Sequence, residues 1–177
     1  MTYGGKELAG AFRTVRKNTI QVAEDIPESK YSHAPAPDTR TVAQMLTHVA
    51  ITTRLWMDLN KDGITSMAGV DFPKIGETFR AEEAKPRTKA ELIDLLRTEG
   101  DKYAAWLETL TPEFLAVGVT DPDGRTVKTR FERILGAKEH EMHHRAQLML
   151  IERQLGIVPH LTRQFNERMA QMKAARA

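Results

Sequence analysis

The sequence predicts an all-α protein: a four-helix bundle with one long crossover between its second and third helices, followed by a C-terminal helical extension. Three observations carry this. Apolar residues recur at helical spacing in four long segments. Stretches punctuated by glycine and proline separate those segments. No run of alternating apolar and polar residues upstream of the histidine-rich segment offers strands for a sheet. At 177 residues the chain suits one domain, 1–177, with the extension covering about 160–177.

The first helix is predicted from about Lys6 to Ile26, where Leu8, Phe12, Val15, Thr19 and Val22 form one stripe. Pro27 and the run from His33 to Pro37 end it. The second begins near Asp38 to Thr41, which supply caps, and its buried face reads Met45, His48, Thr52, Leu55 and Leu59. The segment from Lys61 to Arg87 is expected to be an irregular crossover running the length of the bundle, anchored by Phe72, Ile75 and Phe79. The third helix spans about Thr88 to Leu110, with Leu92, Leu95, Leu96, Tyr103, Trp106, Leu107 and Leu110 on its inner face. Thr111-Pro112-Glu113 suits a helical turn, and Val117 to Val127, around Asp121-Pro122-Asp123-Gly124, a tight turn or small ribbon. The fourth helix runs from about Arg130 to Leu155 and stops at Gly156. Leu161, Phe165, Met169 and Met172 then mark an amphipathic fifth helix, packed on the bundle or on another subunit.

Composition narrows the function. A net charge of +2, with both signs interspersed, gives no sign of a nucleic-acid groove or a membrane-binding patch. With no cysteine, the chain has no disulfide, no thiolate nucleophile and no Cys-based metal site. Any thiol chemistry must use a thiol carried by a substrate. No segment approaches the ~20 apolar residues of a membrane span, and the N-terminus shows no signal-peptide pattern, so a cytoplasmic protein is expected.

The chemistry concentrates in the fourth helix, where three of six histidines fall within five residues. His140 and His144, four apart, aim two imidazoles from one face, as two ligands of a divalent metal must. His143 is turned about 100° from His144 and is the poorer partner. His48, on the apolar stripe of the second helix, is the candidate third ligand. Three buried imidazoles without an ion would demand several hydrogen-bond partners, and neutral imidazole is a natural ligand for a divalent ion.

The run Thr41-Val-Ala-Gln-Met-Leu-Thr-His48-Val, together with His140-Glu-Met-His-His144-Arg-Ala-Gln147-Leu, resembles the DinB/YfiT-like superfamily of small bacterial proteins. The similarity extends over nearly the whole chain, including the Pro-Asp-Gly turn before the fourth helix and the Leu-Gly-Ile-Val-Pro after it. That resemblance implies an up-down-down-up bundle that often dimerises. It also implies a divalent metal, nickel or zinc most often, held by His48, His140 and His144. Relatives include metal-dependent hydrolases and thiol-dependent S-transferases, so the implied partners are a small-molecule substrate or a thiol cosubstrate. Three neutral ligands leave the ion its double charge and an open position, which lowers the pKa of a coordinated water or thiol.

Two other function classes stand beside this enzyme: a non-catalytic metal-binding or stress-response protein, and a structural module whose histidines bind metal only incidentally. A narrower rival is a zinc protease, because His140-Glu141-x-x-His144 matches the HExxH pattern, with Glu141 as base and Glu167 as third ligand. Glu141, about 100° from His140, is the first candidate for a general base or for a group that backs a ligand, and its plainer reading is a solvated helix glutamate. His143 and Gln147 are expected to line the pocket or orient a ligand, Arg145 to form an ion pair at the surface or an interface, and His33 and His160 to be plain loop residues. Leu135, Met142, Ala146 and Met149 make a second apolar strip on the fourth helix, for which a homodimer partner is the expected cover.

Overall fold

The computed structural model describes residues 3–176. Its elements in order are α1 (Gly5–Asp25), α2 (Val42–Leu59), α3 (Phe72–Glu83), α4 (Lys89–Glu108), α5 (Pro112–Ala116), the strands β1 (Gly118–Thr120) and β2 (Val127–Thr129), α6 (Arg130–Gln154) and α7 (His160–Ala174). The starts of α2, α4 and α6 are written locally. Thr41, Thr88 and Thr129 each accept from the backbone three residues on, and Gln44, Glu91 and Glu132 reach back to close a capping box. Gly156, at φ +78°, takes the left-handed conformation that ends α6.

Helices α1, α2, α4 and α6 form the bundle. Each of α1 and α2 packs on both α4 and α6, so α1 faces α2 across one diagonal and α4 faces α6 across the other. Side-chain contacts fix the directions. Arg13 reaches Glu108 and Arg97 reaches Glu24, so α1 and α4 run antiparallel. Tyr3 lies on Phe131 and Arg16 on Glu141, so α1 and α6 run parallel. The result is the up-down-down-up order, with α2 and α4 parallel and therefore joined by a crossover.

The interior is divided by a polar layer. Above it Val22, Ile26, Leu46, Val49, Leu92, Leu96 and Leu148 pack together; below it Leu8, Phe12, Tyr103, Leu107 and Ile134 do so. Between them Arg16, 4% exposed, donates through Nε and Nη2, one edge of its guanidinium, to the two Glu141 oxygens at 2.9 and 3.0 Å, and through Nη1 and Nη2 to the carbonyls of Leu96 and Val49. One side chain of α1 thus ties the other three bundle helices together.

Several expectations change. The crossover is not irregular throughout, because Phe72 to Glu83 form the helix α3, capped by Asp71 with Pro73 in its first turn. Of its expected anchors, Ile75 and Phe79 are half-buried but Phe72 is exposed. The buried stripe of α2 is only partly the one expected: Met45 and Thr52 are buried, but Val42, Leu46, Val49 and Thr53 are buried with them, and His48, Leu55 and Leu59 are half-buried at the edge. That placement of His48 suits a ligand, since a ring at the edge of the interior can face a cavity. Helix α7 exists and meets α1 at its start, where Leu161 is half-buried, yet Phe165, Met169 and Met172 are 62%, 47% and 45% exposed, so the rest of its apolar stripe is uncovered. No helix among the described residues is long and apolar enough to cross a membrane.

Candidate metal centre

Helix α6 places His140 and His144 one turn apart, and α2, running antiparallel to it, brings His48 opposite. The Nε2 atoms converge: His48 to His140 at 3.1 Å and His144 to His140 at 3.2 Å, with one donor atom from each ring inside a 4.8 Å cluster. Nitrogens about 2.0–2.1 Å from one ion, at tetrahedral or octahedral angles, lie roughly 2.8–3.4 Å apart. The observed pairs fall in that range.

Proton accounting points the same way. The Glu83 carboxylate takes the Nδ1 proton of His48 at 2.8 Å, and Gln147 Oε1 takes that of His144 at 2.8 Å. Both Nε2 atoms are then lone pairs, and both face His140 Nε2, which has at most one proton to give. Burial, helped by the neighbouring imidazoles of His144 and His48, pushes the His140 pKa down to about 3. Burial also holds His144 low, against the Gln147 hydrogen bond. Inward-facing imidazole nitrogens, with burial keeping His140 and His144 neutral, fit a divalent cation.

The surroundings hold the rings in place. Burial works against the charge on Glu83, but hydrogen bonds from His48 and from Arg40 outweigh it and keep its pKa below the usual carboxylate range. Arg40 Nε donates to Glu83 Oε2 at 2.8 Å, so both carboxylate oxygens are engaged. Gln147 also donates to His143 Nε2 at 3.2 Å, and His143 itself is exposed and absent from the converging set. Phe79 packs edge-on against the His48 ring. Beside the triad opens a cavity of about 610 Å3, touched by His144, Gln147 and Glu83.

The sequence pattern of this region matches the DinB superfamily over residues 11–148. The chain belongs to that superfamily. It is 28% identical over 152 residues to the uncharacterised protein YjoA of Bacillus subtilis, covering 85% of this chain and 90% of YjoA. The crystal structure of the DinB-like YjoA superposes with a TM-score of 0.64 at 25% identity, over 85% of this chain and 92% of that one. YfiT of Bacillus subtilis superposes with a TM-score of 0.66 at 20% identity, covering 86% and 88% of the two chains. It is described as a "probable metal-dependent hydrolase with an unusual four-helix bundle topology". This DinB chain shares that bundle, and its three histidines form a group able to hold a divalent metal.

Other expected site residues fall elsewhere. Glu141 is not a free base: it is 2% exposed and both its oxygens are held by Arg16. The protease reading loses its base for the same reason, and it loses its third ligand because Glu167 lies exposed on α7 while His48 completes the cluster. Arg145 is half-buried, makes no ion pair among the described residues, and has a buried Nη1 with no partner. His160 is not a loop residue; it is 3% exposed at the start of α7, with Nε2 3.3 Å from Asn18 Oδ1. Glu83 and Arg40 were missed. Glu83 sits in a stretch expected to be irregular, although Phe72, Ile75 and Phe79 are spaced as on a helix and Glu83, four past Phe79, shares their face.

Proposed function

We propose that this DinB protein is a metal-dependent enzyme acting on a small molecule, a hydrolase or a thiol-dependent S-transferase, with nickel or zinc held by His48, His140 and His144. The observation that carries this is the convergence of three lone pairs on one point beside a cavity of substrate size. When bound, such an ion supplies positive charge for developing anions and lowers the pKa of a coordinated water or thiol. The chain's own residues do the rest. Glu83 and Gln147 fix the tautomers of His48 and His144, Arg40 keeps Glu83 charged, and Phe79 limits how the His48 ring can turn. Neither Glu83, which is doubly engaged, nor Glu141, which is locked to Arg16, is free to act as base at the triad. Nucleophile activation therefore depends on the ion, and the thiol of a transferase must come with a substrate because the chain has no cysteine.

The decisive test is elemental analysis of tag-free protein, wild type beside His48→Ala, followed by ester hydrolysis and thiol-transfer assays. About one metal per chain in wild type, little in the variant, and metal-dependent turnover are expected. Full metal content in His48→Ala would overturn the site. Stoichiometric metal without turnover in either assay would favour the non-catalytic binder. A homodimer belongs to this reading as well, supported by the exposure of Met142, Phe165 and Met169. A concentration-independent monomer mass in light scattering would remove it.

A further inference from the structure

The metal centre leaves the substrate class open, and the adjoining cavity bears on it. Its walls are of two kinds. Met45, Ile151 and Leu150 give it an apolar side. Arg40 and Arg80 also line it. Arg40 uses only Nε on Glu83, so its two terminal nitrogens make no hydrogen bond among the described residues. Arg80 precedes Glu83 by three residues on α3 and so shares its face. It is exposed and joins no ion pair among the described residues. The Glu83 carboxylate, though it lines the same space, is spent on His48 and Arg40. The remaining wall carboxylate is Asp38, exposed at φ +60° and also outside ion-pairing distance of any cation among the described residues.

A guanidinium fork matches the two oxygens of a carboxylate or phosphate. We propose that the cavity takes substrates with an apolar body ending in such an oxyanion, and that Arg80 is the specificity-determining residue that receives it. This rests on reading the cavity as the substrate pocket of the metal centre. The apolar lining covers the body of the molecule while Arg80 of α3 supplies the cation in the same space that His144 borders. Asp38 repels an anion seated beside it, which leaves the arginines to receive the headgroup.

Calorimetric titration of the full-length protein with heptanoate, heptyl phosphate and the neutral isostere heptanamide tests this, on zinc-loaded and chelator-treated samples of wild type, Arg80→Gln and Arg80→Lys. Wild type should prefer at least one anion over the amide by about tenfold, the scale of a hydrogen bond to a charged group, with or without zinc. The tighter anion identifies the headgroup. Arg80→Gln should lose that preference while its affinity for heptanamide stays unchanged, and Arg80→Lys should keep part of it. No preference in wild type, or a preference intact in Arg80→Gln, overturns the proposal. A preference that needs zinc and ignores Arg80 also overturns it, because the anion then binds the ion, and the metal reading survives. Zinc that fails to bind while the Arg80-dependent preference persists sinks the metal reading and leaves this one standing.

Discussion

Glu83 Oε1 lies 2.8 Å from His48 Nδ1, joining a helix of the crossover to the ring that α2 offers to the three-histidine cluster. The contact sets the tautomer of His48 and hence the direction of its free lone pair. Replacing Glu83 with Gln keeps an acceptor but places an amide donor against Arg40. Affinity for the divalent ion should fall about 10–100-fold, as is usual when such an outer partner is lost. Competition with a chromophoric chelator measures it, and unchanged affinity would show that the carboxylate does not hold the ring.

Arg16 and Glu141 should behave as a unit. Arg16→Met strands a buried carboxylate and should cost roughly 3–5 kcal/mol in urea unfolding. The double variant Arg16→Met/Glu141→Leu should recover most of that loss, since an apolar pair of similar size needs no charge compensation. If the single and double variants are equally unstable, the polar layer matters for shape rather than charge.

Glu152 supplies a pH dependence. It is fully buried, neither oxygen has a hydrogen-bond partner, and burial, reinforced by Asp25, pushes its pKa up to about 7. An unfolded carboxyl loses its proton near 4.5, so between 4.5 and 7 the native state binds more protons than the unfolded state. Stability must therefore fall as pH rises through that window and stay reduced above it. Glu152→Gln should remove this slope and gain roughly 1–3 kcal/mol at pH 8. An identical slope in the variant would place the titrating group elsewhere.

Two glycines of α1 should respond in opposite ways to alanine. A Cβ on Gly5 would lie 2.4 Å from the Leu107 carbonyl oxygen, a backbone atom that cannot swing aside, so Gly5→Ala should destabilise by roughly 1–3 kcal/mol. Gly10 is exposed with nothing within 4 Å, and Gly10→Ala should stabilise by about 0.5–1 kcal/mol through helix propensity alone. Thermal melts of the pair decide it. A stable Gly5→Ala would mean that α1 and the end of α4 are less closely packed than the structure shows.

Local rules carried much of the outcome. Helix spans follow from a 3.6-residue period, their starts from Thr and Glu or Gln three apart, and the shared face of His140 and His144 from their spacing, none of which needs another part of the chain. Tertiary packing decided the rest. Arg16 and Glu141 are 125 residues apart, and each read singly says only that a buried charge needs a partner. The same holds for Glu83: the spacing of Phe72, Ile75 and Phe79 puts it on one face of α3, but its role depends on α3 folding against α2. How far each helix rotates about its own axis moved His48 to the edge of the core and Glu141 into it. That rotation is set by how all four surfaces interlock, and no one segment contains it.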